Sequence, residues 1–282
     1  MNRLALLGAV ARLARESGMG GVLSRTRDLM DETCVRRHWF PLSYQTDDIE
    51  LRGLLRHRSF LDGLRRGAYE CFSREVFTGA LDSGAIVIDG GSHIGLFSRL
   101  ALASEPELKA VVAFEPDPFN FAALRANLAH YNQRVRLHRK ALADRVGNTT
   151  FNVSQGTISS SLFQRPSVGA AWDTCPVALT TIDVEIADEV DGAPVVAKLD
   201  LEGAEPLAVE GMRRTIARAS TAVALVELNP AALNDAGYTP ADLVSRLRDV
   251  GFRVSYVDER RRALRSVDVS ASLKGNLYCE KA

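Results

Sequence analysis

The chain has 282 residues, of which 46% are hydrophobic and 25% charged. This length allows one large globular domain, or one domain plus an appendage. The 35 basic and 35 acidic residues balance, so composition gives no indication of a nucleic-acid partner. The cysteines, Cys34, Cys71, Cys175 and Cys279, are scattered without a C-x-x-C pair. We therefore expect free thiols in a reducing cytoplasm rather than a disulfide framework or a metal site.

Residues 1–80 are predicted to form a helical N-terminal extension. Apolar side chains share one face of its first helix: Leu4, Leu7, Val10 or Ala11, and Ala14. Arg12 and Arg15 interrupt this stretch, far short of the roughly 20 apolar residues of a membrane span. We expect the helix to dock on the domain, with weak peripheral membrane contact or a signal peptide as alternatives. Residues 48–77 also have helical spacing and are expected to cover one end of a sheet.

From residue 81 to 282 the chain alternates apolar strands with helices, which predicts an α/β domain with a mostly parallel sheet covered on both faces. The predicted strands are Ala85–Asp89, Ala110–Glu115, Val135–His138, Val195–Leu199, Ala222–Glu227, Arg253–Val257 and Asn276–Glu280. The predicted helices are Gly95–Ala103, Pro118–Tyr131, Pro206–Ala219 and Pro240–Val250. Residues 147–183 break the alternation with β structure and an inserted loop at about 154–176, where we expect a substrate lid.

The first chemical signal is Asp89-x-Gly91-x-x-x-Gly95, with Ser92 and His93 inside the loop, at the end of an apolar strand. Glycines in such a loop let the backbone approach a ligand closely. The spacing is looser than the G-x-G-x-x-G cradle that a pyrophosphate needs. An acid beside the loop suits the ammonium and sulfonium charges of S-adenosylmethionine. A turn that merely needs glycine is the alternative.

Two further acids follow the next two strands. Glu115 ends the second strand, where it can accept hydrogen bonds from ribose hydroxyls; capping of the next helix is the alternative. Asp144 follows the third strand and could accept the exocyclic amine of adenine, although a plain turn residue explains it nearly as well. With the glycine loop, these acids predict an enzyme that uses a nucleoside cofactor.

A concentration of charge follows the fourth predicted core strand. The charged residues are Lys198, Asp200, Glu202 and Glu205. Such a cluster is costly unless it faces a solvated, functional cleft, although an ordinary surface turn is the alternative. Strand periodicity directs Lys198 and Asp200 to one face. The next strand ends in Glu227 and Asn229, which we expect at the same rim.

These motifs together resemble the FkbM-type family of S-adenosylmethionine-dependent methyltransferases. They are Asp-x-Gly-Ser-His-Ile-Gly (89–95), Phe-Glu-Pro-Asp-Pro (114–118), Ala-Leu-Ala-Asp (141–144), Thr-Thr-Ile-Asp (180–183) and Lys-Leu-Asp-Leu-Glu-Gly-Ala-Glu (198–205). The resemblance covers about residues 84–230. It implies a class I methyltransferase fold, a Rossmann-like sheet of seven mostly parallel strands with an antiparallel last strand and helices on both faces.

The resemblance also implies how the cofactor S-adenosylmethionine is held. The loop of Asp89, Gly91, Ser92, His93 and Gly95 would border its methionine part. Glu115 would hold the ribose and Asp144 the adenine. His93 stands where asparagine is more usual in the family, so it keeps a hydrogen-bonding capacity but is given no catalytic role.

A hydroxyl acceptor must lose its proton during methyl transfer, so a nearby base assists. We expect Asp200 to be this base or to orient the acceptor, with Lys198 keeping it ionised and Glu202 or Glu205 assisting. We assign no metal ligand, and the rival interpretation is a Mg²⁺ site made by Asp200, Glu227 and Asn229.

The predicted function is S-adenosylmethionine-dependent O-methylation of a hydroxyl on a small molecule, a sugar or glycolipid, or a polyketide-type product. N-methylation on the same fold is one alternative. A nicotinamide-dependent oxidoreductase is another, disfavoured by the missing G-x-G-x-x-G, and an inactive binding domain is a third.

Overall fold

The computed structural model describes residues 26–46, 48–131, 133–154, 160–166, 172–269 and 273–282. The predicted docking helix with Leu4 and Leu7 lies outside these residues, as does part of the predicted lid. The first described helix, α1 (26–36), is followed by a hairpin of two short strands and two more helices. These are β1 (Leu42–Gln45), β2 (Glu50–Gly53), α2 (Arg58–Arg65) and α3 (Cys71–Gly79), with a 3-10 turn (Leu55–His57) before α2.

The remaining strands form two sheets. In chain order they are β3 (Ile86–Gly90), β4 (Ala110–Phe114), β5 (Val135–His138), β6 (Lys140–Leu142), β7 (Gly147–Ser154), β8 (Trp172–Thr180), β9 (Val195–Leu199), β10 (Ala222–Leu228), β11 (Phe252–Asp258), β12 (Ala263–Ser266) and β13 (Gly275–Lys281). Within the described residues the central sheet has the order β12-β11-β13-β10-β9-β3-β4-β5. A smaller sheet has the order β6-β8-β7.

The central sheet confirms the predicted fold class. Strands β3, β4, β5, β9 and β10 are parallel, and the last strand, β13, is antiparallel to its neighbours β10 and β11. The structure adds β12, a short edge strand that is antiparallel to β11. From β3 the sheet continues through β4 to β5 on one side, and β9 pairs with β3 on the other side. The strand order therefore reverses between β3 and β9, and their carboxyl ends meet at the switch point where such sheets bind ligands.

Helices cover both faces of the central sheet. They are α4 (Leu96–Ser104), α5 (Pro118–Leu128), α6 (Ile182–Val190), α7 (Glu205–Glu210), α8 (Arg213–Arg218), α9 (Pro230–Asp235) and α10 (Pro240–Asp249). Successive side chains of a strand point to opposite faces of the sheet. Val87 therefore packs in the apolar layer on one face, and Ile88 packs in the layer on the other face. The first layer also contains Leu51 and Phe60. The described N-terminal segment, residues 26–46 and 48–80, is therefore part of the main core.

Two secondary-structure predictions differ from the structure. Residues 50–53 form strand β2 rather than helix, because buried Ile49, Leu51 and Gly53 alternate with more exposed residues at the period of a strand. The predicted helix 206–219 is two helices, α7 and α8. The break falls at Gly211, where a β-carbon would overlap the backbone carbonyl of Ala143.

The N-terminal segment is also tied to the C-terminal strands by polar contacts. The Glu259 carboxylate, which follows β11, accepts hydrogen bonds from the backbone N–H groups of Phe72 and Ser73, both at 2.8 Å. These groups are among the unpaired donors of the first turn of α3, where a negative charge is stabilising. Among the helices that the structure describes, none is both long and apolar enough to cross a membrane.

The close contact between the ends of β3 and β9 requires glycine at position 91. Gly91 has φ 74°, and a β-carbon there would overlap the carbonyl oxygen of Asp200. We expect Gly91→Ala to lower the free energy of unfolding by about 3 kcal/mol. Gly84→Ala is the matched control, because Gly84 has φ 75° but open space around it, and should cost about 1 kcal/mol. Urea unfolding of ligand-free protein measures both, and equal losses would refute the steric argument.

Candidate active site

The acids predicted from separate motifs converge on one cavity of about 430 Å³ at the carboxyl edge of the central sheet. This volume is within the usual range for small-molecule sites. Eight predicted site residues line it: Asp89, Gly91, Ser92, His93, Glu115, Lys198, Asp200 and Glu202. The other three predicted residues, Gly95, Asp144 and Glu205, are not among the described lining residues.

Asp89 is a buried carboxylate at the end of β3. Its Oδ2 atom accepts hydrogen bonds from the backbone N–H (3.0 Å) and the hydroxyl (2.6 Å) of Ser98, in the first turn of α4. Burial raises the pKa of Asp89 to about 6, against the lowering effect of the Ser98 bonds and of Lys198. The acid is thus kept in an environment that disfavours its charge unless a cation is near.

The glycine loop is shaped mainly by contacts within the protein. Gly91 lets the backbone cross the Asp200 carbonyl, and Asp200 in turn donates its N–H to the Gly90 carbonyl at 3.0 Å. Gly95 has φ 94° and precedes α4, where a β-carbon would press on Leu124. The Ser92 hydroxyl donates to the Asp89 carbonyl at 2.5 Å. Gly91 and Gly95 are therefore required by packing within the protein, in addition to any approach of the backbone to a ligand.

Glu115 is held by three donors of the protein. One oxygen accepts the N–H of His93 at 2.8 Å, and the other accepts the N–H of Asp117 at 2.9 Å. The Asn120 side chain is the third donor. Burial, followed by the nearby Asp117 carboxylate, raises the pKa of Glu115 well above its usual value. A carboxylate has about four lone pairs and these three donors use three of them, so Glu115 can still accept one ligand hydroxyl.

A buried histidine of the N-terminal segment supports this arrangement. His57 Nδ1 accepts the N–H of Leu54 at 3.0 Å, so its proton lies on Nε2 and is donated to Asn120 Oδ1, also at 3.0 Å. Burial lowers the pKa of His57 well below its usual value, which keeps the ring neutral. Asn120 is thereby oriented with its amide group toward Glu115.

His93 forms part of the cavity wall. Its ring packs edge-on against Phe60, with centroids 4.7 Å apart, and against His57, at 5.0 Å. Burial lowers the pKa of His93 to about 4. The side chain is therefore neutral near pH 7, and its backbone N–H is the group that engages Glu115.

Lys198 is a deeply enclosed charge of the site, with 1% of the residue exposed. Its Nζ lies 3.4 Å from Asp200 Oδ2 and donates to Asn276 Oδ1 at 3.2 Å. Burial alone would lower the pKa of Lys198, but Asp200, Glu70 and Glu227 together raise it above its usual value. The ammonium is thus a fixed positive charge and not a proton acceptor.

The three carboxylates after β9 lie in different environments. Asp200 reaches the cavity with 25% of its side chain exposed. Glu202 is paired with the buried guanidinium of Arg165. Glu205 accepts the N–H groups of Leu201 (2.7 Å) and Gly203 (3.0 Å), and burial raises its pKa to about 7. Glu205 therefore stabilises the loop of residues 200–204 through its backbone.

Glu227 and Asn229 lie at the same rim, as the sequence predicts, but they are used differently. Asn229 Oδ1 accepts the N–H of Ala232 and caps α9. Glu227 lines the cavity, where burial raises its pKa well above the usual value, with Asp200 and Glu202 contributing. Asp200, Glu202 and Glu227 each place one oxygen within 4.8 Å of the others.

Several lining residues lie outside every motif. Phe60, Tyr69 and Glu70 come from the N-terminal segment, and Arg165 and Lys274 from loops. Glu70 precedes α3 with φ 46°, an uncommon conformation for a residue with a side chain. No local pattern marks these positions, because they belong to the cavity only through packing. Asp144, by contrast, pairs with Arg145 near the surface, and its contact with adenine stays a prediction.

Residues 89–254 match the family described as the methyltransferase FkbM domain, which is more than half of the chain. The chain belongs to the FkbM methyltransferase family. The matched model describes a methyltransferase domain, for which S-adenosylmethionine is the implied cofactor and which disfavours the oxidoreductase alternative.

Similar proteins carry related names. A stretch of 89 residues, 29% of this FkbM-family chain, is 36% identical to the 31-O-demethyl-FK506 methyltransferase FkbM of Streptomyces tacrolimicus and covers 34% of that protein. The chain thus matches about a third of the relative's length. A methyltransferase FkbM from Methylobacillus flagellatus is similar in structure, with a TM-score of 0.46, 17% identity and coverage of 90% of this chain and 59% of that one. A TehB-like methyltransferase from Corynebacterium glutamicum is similar with a TM-score of 0.44 and 11% identity. The match covers 79% of this chain and 93% of that one.

The buried acid of the glycine loop should make stability depend on pH. Because the pKa of Asp89 is raised from 3.8 to about 6, the folded state keeps a proton that the unfolded chain has already lost within this window. The stabilisation from this retained proton is complete below the unfolded pKa of 3.8 and is lost as pH rises through the folded pKa of about 6. We expect Asp89→Asn, which keeps an oxygen for Ser98, to approach the wild type near about pH 4 and to be more stable by about 3 kcal/mol at about pH 8.

Urea unfolding of ligand-free protein across this pH range measures the difference. Asp188→Asn is the control, because the Asp188 side chain is 85% exposed and should give a nearly constant difference. A pH-independent difference for Asp89→Asn would contradict the assignment.

Proposed function

We propose that this FkbM-family enzyme methylates a hydroxyl oxygen of a small-molecule, sugar or lipid-linked acceptor. The observation that carries the proposal is the position of Asp200, a partly exposed carboxylate in the cavity that is held from behind by buried Lys198. A carboxylate in this position can accept a proton from a hydroxyl. The name of the Streptomyces tacrolimicus relative specifies a methylated oxygen, which supports a hydroxyl over an amine.

The cavity fits the cofactor. S-adenosylmethionine carries positive charge on its sulfonium and ammonium groups, and it supplies a methyl group whose bond to sulfur breaks as the acceptor oxygen bonds to the methyl carbon. Enclosed Asp89 matches that charge, and Glu115 has one lone pair left for a ribose hydroxyl. The loop of residues 91–93 would border the methionine part, as the family resemblance implies.

The proton of the acceptor hydroxyl passes to Asp200 in this proposal. Lys198 stays protonated, and its contact of 3.4 Å with Asp200 Oδ2 fixes the orientation of that carboxylate. Glu202 and Glu205 would have a structural role. Arg165 pairs with Glu202, and two backbone N–H groups donate to Glu205. They would hold the loop that carries Asp200.

The same site is arranged to exclude water, which favours a displacement between oxygen and a charged sulfur compound. Phe60 and Tyr69 line the cavity from the N-terminal segment. The described part of the inserted loop, 160–166, lies against the site: Ser160 donates to Asp117 at 3.0 Å, and Ser161 donates to the Glu202 carbonyl at 2.8 Å. We propose that this loop acts as a lid over the acceptor. We also propose that the enzyme is located in the cytoplasm.

Calorimetric titration tests the assignment of the cofactor residues. We expect micromolar binding of S-adenosylmethionine and S-adenosylhomocysteine and no binding of NAD. Glu115→Gln should weaken both affinities about tenfold, because the glutamine amide has one acceptor oxygen where the carboxyl group has two. Glu189→Gln, a change of a half-exposed carboxylate that is not among the described lining residues of the cavity, should leave them unchanged. Equal affinity of the Glu115→Gln variant would remove Glu115 from the cofactor site.

The role of Asp200 requires a turnover assay, with an acceptor found by screening hydroxylated compounds with methyl-labelled cofactor. We expect Asp200→Asn to lower kcat about 100-fold or more, because the variant cannot take up the proton. Its affinity for S-adenosylhomocysteine should change by less than about twofold, since Asn preserves the shape of the side chain. Turnover near the wild-type rate with intact cofactor binding would show that Asp200 is not the base.

A further inference from the structure

We propose that Asp200, Glu202 and Glu227 form a divalent-cation site that faces the acceptor. The ligand set differs from the one expected from sequence, because Asn229 uses its oxygen to cap α9. The role of the ion rests on the proposed function, whereas its binding can be measured without any acceptor.

The geometry of the three side chains suits one ion. One oxygen from each carboxylate lies within 4.8 Å of the other two. Oxygens that bind the same Ca²⁺ or Mg²⁺ at about 2.0–2.6 Å are separated by at most about 4–5 Å. Small rotations of the side chains would therefore bring all three to a common ion. The set contains only carboxylate oxygens, which favours hard cations such as Mg²⁺, Mn²⁺ and Ca²⁺.

A second observation points to a missing ligand at this place. Oε2 of Glu227 is inaccessible to solvent and has no hydrogen-bond partner within the described residues. Oε2 of Glu70, another cavity-lining carboxylate, is in the same condition. A buried carboxylate oxygen without a donor is costly, and such atoms in a folded protein call for an explanation such as a bound ion.

The balance of charge agrees with this explanation. Five carboxylate side chains lie around the site: Glu70, Asp200, Glu202, Glu227 and Asp235. Within the described residues of the cavity wall, three cationic groups oppose them: Lys198, Arg165 and Lys274. Lys198 faces Asp200 Oδ2, and Arg165 binds Glu202 Oε2 and lies 3.7 Å from Asp235. A divalent cation would offset most of the remaining negative charge.

The ion would bind the acceptor hydroxyl oxygen and lower the pKa of that hydroxyl, so that its proton leaves more readily. A carboxylate has about four lone pairs. Asp200 can therefore offer one oxygen to the ion and receive the proton on the other. The cation then orients the acceptor oxygen within the same cavity that Asp89 and Glu115 line.

Binding of Mn²⁺ to the full chain tests the site, with the loss of the free-ion electron paramagnetic resonance signal as the readout and S-adenosylhomocysteine present. We expect one bound ion in the wild type. Glu227→Gln and Asp200→Asn should each weaken binding about tenfold or more, because ligand charge and number set the affinity of such sites. Competition by Mg²⁺ or Ca²⁺ should restore the free signal. Glu189→Gln is the matched control and should bind as the wild type does.

Titration of each variant with S-adenosylhomocysteine shows whether it is folded and separates the two proposals. Glu202→Gln is an additional variant if one of the others fails to bind that ligand. The proposal is overturned if the wild type binds no Mn²⁺ at about 1 mM, or if both variants bind it as the wild type does. Cofactor binding without Mn²⁺ binding would leave the methyltransferase function intact. The reverse result would contradict the cofactor assignment instead.

Discussion

The buried ammonium of Lys198 is the constraint on which the site depends. A charge enclosed in the centre of a sheet is tolerated only when it is paired and hydrogen-bonded. Asp200 and Asn276 provide direct partners, and Glu70 and Glu227 add nearby negative charge. These residues come from four separate parts of the chain, so satisfying one ammonium brings together the N-terminal segment, two parallel strands and the antiparallel last strand.

The N-terminal segment is consequently a structural part of the enzyme, although it precedes the residues that match the family. Asn276 binds both Lys198 and the Ser73 hydroxyl, which links the sheet centre to α3. On the other side of the cavity, His57 orients Asn120 toward Glu115. The same segment supplies Phe60 and core residues beneath the sheet. Its packing therefore shapes the cavity wall both near Glu115 and near Asp200.

The carboxylates of the cavity are kept under conditions that disfavour their charge. Burial raises the pKa of Asp89, Glu115 and Glu227, which means that ionising each of them costs free energy in the absence of a cationic or donor-rich ligand. A core of apolar residues would avoid this cost. Retaining the acids is consistent with a site whose favourable interactions are completed by ligands, and sites of this kind commonly exchange stability for function.

The sequence alone determined seven strands of the central sheet and the acids at the ends of its parallel strands, because hydrophobic periodicity and glycine-rich turns are local signals. The Asp89, Glu115 and Asp200 positions follow from this, since parallel strands end at the same edge of a sheet. Only the tertiary structure decided which carboxylates face the cavity. Glu205 turns inward to hold the loop and Glu202 meets Arg165, a difference set by backbone donors and by a distant loop. The contributions of Glu70 and His57 depend on packing between segments far apart in the chain, which no local pattern records.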